Sequence, residues 1–348
     1  SPVNPGASGF DEWLSAPNFF DNDPILSREG IAVPMEGESS MVTVDGALEF
    51  IRRHAGGDRP YFAVIWFGSP HAPHEAAERD RQLYDDQPEQ LQHFYGEITG
   101  MDRAFGKLRA ELNTLPGYEN TLLWYCSDNG GLPRIGATGG RGQKGDIYEG
   151  GLRVPAILQW PARIKQPGIT SLPVNTSDIF PTILDIAGAE PDPKHPLDGI
   201  SILPLIDGQM DTRPQPMGFW HYPASGIRTP SKEWMSELQA AQQSGNMTGD
   251  STRLRLEAAR IGTQYPLDSL PGHAAWLDWP WKLHRIEDES GTLRLELYRL
   301  DEDPEESQDQ TSNHPSRIRD MQSALETWQR SVIKSLNGAD YHSLIPVE

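Results

Sequence analysis

The chain has 348 residues, enough for one large domain or a large domain with a smaller companion, and its 36% hydrophobic content with 10 Trp, 10 Tyr and 10 Phe can fill a substantial core. Thirty Pro and 33 Gly favour a loop-rich α/β enzyme over a helical bundle. A net charge of −20 argues against nucleic acid and anionic membrane surfaces as partners, although a bound cation with a local Lys/Arg cluster can still hold an anionic substrate.

The single cysteine excludes an internal disulfide framework. No apolar run approaches the ~20 residues of a membrane span, and no signal-peptide pattern is visible. The chain opens at Ser1 rather than Met, so a processed, truncated or fragmentary product is expected.

Residues 1–59 read as mostly irregular, with Phe10, Trp13, Phe19 and Phe20 set among turn formers. Val44, Ala47, Leu48 and Ile51 recur at helical spacing and predict a helix over 43–54. The unbroken apolar run 61–67 predicts a strand buried on both faces. It ends at Gly68-Ser69-Pro70-His71-Ala72-Pro73-His74. In open α/β sheets ligands gather outside the carboxyl ends of strands. A histidine there can bind an anion, donate a proton or ligate a metal. His71, between two prolines that stiffen the loop, is the better candidate, and His74 reads as an ordinary loop histidine.

Leu91, Phe94, Tyr95, Ile98, Met101, Phe105, Leu108 and Leu112 mark a long amphipathic helix over 91–115. The apolar run 121–126 follows, and strand, helix, strand with short connections is the pattern of a parallel sheet. Cys126 in that run reads as a buried small hydrophobe. The run breaks at Ser127-Asp128-Asn129-Gly130-Gly131. Asp128 and Asn129 offer a carboxylate and an amide carbonyl, oxygens that suit calcium or magnesium. The same residues also suit a plain turn, and both readings stand. The Gly-rich loop beyond carries Arg134, Arg141 and Lys144, and Lys144 can bring a positive charge to an anion held by the cation.

A second buried strand is expected at 154–158. A helix is expected over 177–187, capped by Thr176 or Ser177 and ended by Gly188. In the aromatic cluster after Phe219, His221 either lines a pocket or packs. Residues 224–272 look like an insertion with polar helices at 232–243 and 252–260, serving as a lid, a specificity element or an interface. From 273 onward, alternating runs at 281–286 and 293–300 join through Ser290-Gly291 as an antiparallel hairpin with one buried face. A terminal helix with the stripe Ile318, Met321, Leu325, Trp328 and Val332 completes a small α+β subdomain, in which no chemistry is visible.

Taken in order, several segments resemble one family. They are Pro70-His71-Ala72-Pro73, Met101-Asp102, Ser127-Asp128-Asn129-Gly130, Lys144, and Tyr148-Glu149-Gly150-Gly151-Leu152-Arg153-Val154-Pro155. Ser177-Asp178-Ile179-Phe180-Pro181-Thr182, Leu197-Asp198-Gly199-Ile200-Ser201 and Leu297-Tyr298-Arg299-Leu300-Asp301 through Glu305 follow. The series resembles the formylglycine-dependent sulfatases of the alkaline phosphatase superfamily. It covers nearly the whole chain except 224–272.

The resemblance implies an α/β fold with a mostly parallel sheet sandwiched by helices, plus the small C-terminal α+β subdomain with its hairpin. The division is then 1–223 as the rest of the catalytic domain, 224–272 as the insertion and 273–348 as the subdomain. By match, Asp128 and Asn129 are metal ligands for Ca2+ or another divalent cation such as Mg2+. His71 and Lys144 contact the sulfate and act in catalysis, and His221 is a further substrate-binding candidate. Sulfate-ester hydrolysis, of a carbohydrate or small molecule, is the implied activity, in a periplasmic or extracellular setting.

The sequence also departs from the family. It holds no C-x-P-x-R or S-x-P-x-R nucleophile motif, no early Asp pair and no Gly-Lys-x-His-Leu-Gly segment. The chain is therefore expected to begin past that half-site, to lack several strands and to be inactive unaided. A phosphonate or phosphate ester hydrolase of the same superfamily, and an inactive relative acting as a binding module, are the other readings.

Overall fold

A computed structural model of the chain describes residues 4–132, 135–136, 139–192, 196–221, 230–245 and 265–337. The chain divides into two compact units, Ser1–Tyr118 with Gly226–Gly262, and Glu119–Ser225 with Thr263–Glu348.

In the first unit, helix α1 (Ser39–His54) packs on the long helix α3 (Glu89–Leu112). Val44, Leu48 and Ile51 are buried on one, and Ala104, Leu108 and Leu112 on the other. Each buried Leu or Val contributes about 1.5–3 kcal/mol. Helix α1 starts four residues before the expected position, because the Glu38 carboxylate caps it, accepting from Ser40 N at 2.9 Å and Met41 N at 3.0 Å. Glutamate is an uncommon N-cap. The short helix α2 (Glu78–Arg81) buries Asp80, which pairs with Arg103.

The expected irregularity of residues 1–59 needs correction. Strands β1 (Leu14–Ser15), β2 (Ile25–Arg28) and β3 (Ile31–Pro34) form an antiparallel sheet. The β2–β3 turn is Glu29-Gly30, both at positive φ (51° and 96°), as a tight two-residue hairpin requires. Helix α6 (Ser231–Gln243) covers β3, where Gln242 accepts from Ala32 N at 2.9 Å and donates to Gly30 O at 2.8 Å.

A second correction concerns 61–67. The segment takes no ladder partner among the described residues. One face is half-buried, with Tyr61 set against Phe50 of α1 at 6.3 Å. The other is open, with Phe62 53%, Val64 43% and Trp66 82% exposed. An unbroken apolar run carries no information about which face is covered, so the expectation of burial on both faces does not hold here.

In the second unit, β4 (Leu123–Cys126) pairs antiparallel with β5 (Ala156–Gln159), Cys126 opposite Ala156. Neither is a fully buried strand as expected: Ile157 is 60% exposed and Cys126 half-buried. Helix α4 (Glu149–Leu152) lies in the connection between them. Helix α5 (Ile179–Ala187) follows a turn capped by Asn175, whose side chain accepts from Ser177 N while Asp178 accepts from Asn175 N, in place of the Thr176 or Ser177 cap. Asp178 is wholly buried. It receives a two-pronged pair from Arg213 at 2.7 and 2.8 Å and the N–H of Ile200 at 2.8 Å. A Cβ on Gly199 would overlap Ser177 O, so only glycine passes there.

Four antiparallel strands, β6 (Met217–His221), β7 (Gly272–Asp278), β8 (Trp281–Glu287) and β9 (Leu293–Arg299), form one sheet. The hairpin is as expected, but it is buried on both faces. On one, Leu283 and Leu297 meet Met321 of the terminal helix Pro315–Leu336. On the other, Met217, Leu277 and Tyr298 pack with Tyr148 and Phe219. All ladders among the described residues are antiparallel. The helix expected at 252–260 and Arg134 lie outside the described residues.

Candidate active site

In the second unit, the chain leaving β4 turns at Ser127, whose Oγ donates to Asn129 O at 3.2 Å. Asp128 projects to the surface and Asn129 Nδ2 donates to Asp128 Oδ2. Gly130 N then donates to Gly151 O at 2.9 Å, and Lys144 N donates to Gly131 O, also at 2.9 Å. Lys144 rides on a tight turn in which Gln143 N bonds the Asp146 carboxylate at 3.0 Å. Three glycines make this approach sterically feasible: a Cβ on Gly130 would overlap Gly150 O, one on Gly150 would overlap Gly142 O, and one on Gly151 would overlap Asp146 O. Asp128, Asn129 and the Lys144 backbone are thus held in one loop cluster, and the Lys144 amine has no ion-pair partner among the described residues.

The donors suit a hard cation. Asp128 and Asn129 present one carboxylate and one amide oxygen beyond the contact they share, the oxygen chemistry of calcium or magnesium. Two side chains make only part of a coordination shell, and among the described residues no group of three His, Cys, Asp or Glu could hold a metal ion. Burial, then the charge of Asp128, pushes the Cys126 thiol up, which keeps it protonated and unsuited to nucleophilic attack.

Both ends of the Lys144 loop are pinned to the four-stranded sheet. Arg141 Nη1 donates to Glu296 at 3.1 Å and to Tyr298 OH at 2.9 Å, and its guanidinium lies 3.9 Å from the centre of the Tyr148 ring. Tyr148 OH donates to Glu296 at 2.8 Å. Burial and the Glu296 carboxylate push the Tyr148 phenol up to about 12. Burial raises the Glu296 carboxyl, but hydrogen bonds from Tyr148 and Tyr298 with the charges of Arg141 and Arg294 outweigh it and hold it below its ordinary value. At the far end, Glu149 N donates to Glu306 Oε2 at 2.6 Å. Lys282 Nζ lies between Glu149 Oε1 (2.8 Å) and Glu306 Oε1 (2.9 Å). His284 Nε2 meets Glu306 at 2.7 Å, and His273 Nε2 meets His284 Nδ1 at 2.8 Å. Burial first, then neighbouring positive charge, keeps His284 well below its ordinary value and brings His273 down to about 3. Neutral rings then donate from His273 to His284 and from His284 to Glu306.

These residues escaped the sequence reading, which saw no chemistry after 273. The signal was present: Lys282-Leu283-His284 opposite Glu296-Leu297-Tyr298 puts ionisable groups on alternate positions of paired strands, hence on one face. His221 ends β6 on the surface, opposite His273 in the ladder.

His71 belongs to the first unit. Its exposed ring stacks on Phe20 (4.4 Å, 14°), and Nδ1 donates to Ala72 O at 2.7 Å, while Nε2 makes no hydrogen bond among the described residues. His74, in contrast, is buried and holds this loop down: Nδ1 lies 3.1 Å from Glu97 Oε2, whose other oxygen accepts from Glu75 N at 2.6 Å. Burial raises the Glu97 carboxyl against both of these partners.

The chain is similar to known sulfatases in sequence and in structure. It is 28% identical over 254 residues to an ulvan-active sulfatase of Formosa agariphila, a match spanning 64% of this chain and 49% of that protein. It is 28% identical over 247 residues to the N-acetylgalactosamine-6-sulfatase of Canis lupus familiaris, spanning 61% and 45%. These matches span less than half the length of either relative. Among solved structures, Ps i-CgsB in complex with k-i-k-neocarrahexaose shares the fold, with a TM-score of 0.73, 20% identity, and coverage of 97% of this chain and 73% of that one. That likeness carries the alkaline phosphatase-like α/β architecture. The sequence model of the sulfatase family matches residues 2–189, a stretch that includes the Pro70–Pro73 loop, the Asp128-Asn129 turn and the Lys144 loop, and on that match the chain belongs to the sulfatase family.

Proposed function

We propose that the protein carrying this chain hydrolyses sulfate esters of a carbohydrate. What supports this reading is the packing of the Lys144 loop onto the Asp128-Asn129 turn, through the 2.9 Å bond from Lys144 N to Gly131 O and three glycines that admit no side chain. Cleavage of the S–O ester bond leaves negative charge on the departing sugar oxygen and on the sulfate oxygens. A lysine with no ion pair among the described residues, on a loop whose main chain is bonded to the turn that carries two oxygen ligands, suits that charge pattern.

In this reading Asp128 and Asn129 hold a divalent cation, calcium or magnesium, which when bound supplies Lewis-acid polarisation of the sulfate. Lys144 binds a sulfate oxygen and steadies charge on the leaving oxygen. His71 serves the sulfate through Nε2, which donates a hydrogen bond when the ring is protonated. His221, exposed at the end of β6, is proposed to meet the saccharide. The nucleophile comes from polypeptide outside this sequence, which lacks the C/S-x-P-x-R motif. The periplasmic or extracellular setting and the division at 223 and 272 belong to the same proposal. Among the described residues no helix is long and apolar enough to cross a membrane.

The test is an assay of the full-length protein against a panel of sulfated saccharides, with release of inorganic sulfate as the readout. A phosphonate monoester is run in parallel. Sulfate release that drops in Lys144→Ala supports the reading. Hydrolysis of the phosphonate ester with none of the sulfate esters overturns it.

A further inference from the structure

The four-stranded sheet is far in sequence from Lys144, yet it grips both ends of the Lys144 loop. One grip is at the near end: Arg141 reaches Glu296, Tyr298 OH and, at 3.4 Å, Glu306 O. The other is at the far end: the Glu306 carboxylate takes Glu149 N on one oxygen and Lys282 with His284 on the other. The Lys282, His284 and Glu306 side chains are all 0% exposed.

Such a buried cluster is a poor way to gain stability. Removing the Glu306 carboxylate and the Lys282 ammonium from water costs several kcal/mol per ion, and the mutual attraction often only balances that cost. What the cluster does supply is one geometry. Three donors on one carboxylate, two of them fixed on a β-strand, leave Glu149 N a single position. Tight packing of Gly150 and Gly151 on the loop then carries that position through Gly142 and Asp146 to Lys144.

We propose that Glu306, Lys282 and Arg141 are positioning residues for Lys144, two clamps by which the C-terminal sheet sets the Lys144 loop against the Asp128-Asn129 turn. The proposal rests on the sulfatase reading for what Lys144 does, but not for how the loop is held. The clamps do not touch substrate. They act through the main chain from 141 to 149.

The experiment uses the full-length protein and three variants, Arg141→Gln, Glu306→Gln and Lys282→Met. Backbone amide exchange is followed over Gly142–Asp146 and, as an internal standard, over β8 and β9. Kinetics are measured on the same samples. Because Lys282 and Glu306 are buried and their variants can fail to fold, the half-exposed Arg141 keeps the test decisive. Arg141→Gln is expected to raise exchange in the loop at least tenfold with β8 and β9 protected as in wild type. It is expected to lower kcat at least tenfold with KM within about twofold, as loss of an interaction made only in the transition state requires. Arg141→Lys, which keeps the charge beside Glu296, is expected to recover part of both. Unchanged loop exchange in a folded variant overturns the proposal, and so does loss of protection in β8–β9 in step with the loop. If the wild-type protein releases no sulfate, the functional reading fails, and the exchange data still decide the clamps.

Discussion

The backbone N–H of Lys144 donates to the carbonyl oxygen of Gly131 at 2.9 Å, and Gly131 follows Asn129 by two residues. This bond ties the main chain at Lys144 to the turn that carries the two oxygen donors, across a polar loop with no regular ladder among the described residues. It makes the role of Lys144 separable from its fold: the side chain has no ion pair among the described residues, and only its backbone is bonded. Lys144→Ala is expected to cost kcat about 10²–10³-fold, the scale of a lost oxyanion donor. Stability should change by no more than about 0.5 kcal/mol. Steady-state kinetics with a urea melt checks both, and near-normal kcat would remove Lys144 from the site.

Two glycines make opposite predictions. Gly150→Ala drives a Cβ into Gly142 O, a main-chain atom that cannot rotate away, so a loss of about 1–3 kcal/mol with lowered activity is expected. Gly106, inside α3, has nothing within 4 Å of its would-be Cβ, so Gly106→Ala is expected to stabilise by about 0.5–1 kcal/mol. Thermal melts of the two variants side by side test the steric account. A neutral Gly150→Ala would show that the loop yields.

Asp178 and Arg213 are 0% and 3% exposed, so neither charge has water to fall back on. Asp178→Ala strands the guanidinium and is expected to cost about 3–5 kcal/mol. Replacing both, with Arg213→Met, should recover a good part of it, because no buried charge is then left unpaired. If the double variant is as unstable as the single one in denaturant titrations, the cost lies in the lost backbone contacts to Asn175 and Ile200 instead.

Stability should weaken on mild acidification. His273 and His284 are neutral when folded, with His273 brought down to about 3, while an unfolded histidine protonates near 6.5. The unfolded chain therefore binds more protons between those values. The contribution of these groups is complete above about pH 6.5 and declines toward pH 3, by up to about 1.4 kcal/mol per pH unit for each ring. Denaturant melts at pH 7.0, 6.0 and 5.5 isolate this window from most carboxylates. His273→Gln is expected to shallow the slope, and an unaltered slope would mean the ring is not kept neutral by the fold.

Cation binding is predicted to depend on Asp128. In the full-length protein, Asp128→Ala should weaken Ca2+ or Mg2+ binding at least tenfold by calorimetry, since a carboxylate is the charged half of the donor pair. Retained affinity would place the cation elsewhere.

The sequence by itself determined much of this protein. Periodic stripes gave away α1, α3 and the terminal helix, because a helix that must bury one face repeats its apolar residues every three or four positions, and α6 was legible as a polar helical stretch. Alternation in the same way exposed the β8–β9 hairpin. The Asp128-Asn129 turn and Lys144 were legible because they lie in one short stretch whose residue types suit one chemistry. The glycines at 130, 150 and 151 were visible too, but their meaning was not, since which backbone comes within overlap of a missing Cβ is a fact of packing.

Three further things were left to the tertiary structure. The β2–β3 hairpin turns on Glu29 at positive φ, a conformation that sequence assigns to Asn, Asp or Gly, so local propensity pointed away from it. The open face of 61–67 depends on which segments pack against it, and an apolar run is silent on that. The grip of Arg141, Lys282 and Glu306 on the Lys144 loop joins residues separated by up to 165 positions. Charges so far apart in the chain carry no mutual signal until folding withdraws them from water together, and only then does each require a partner.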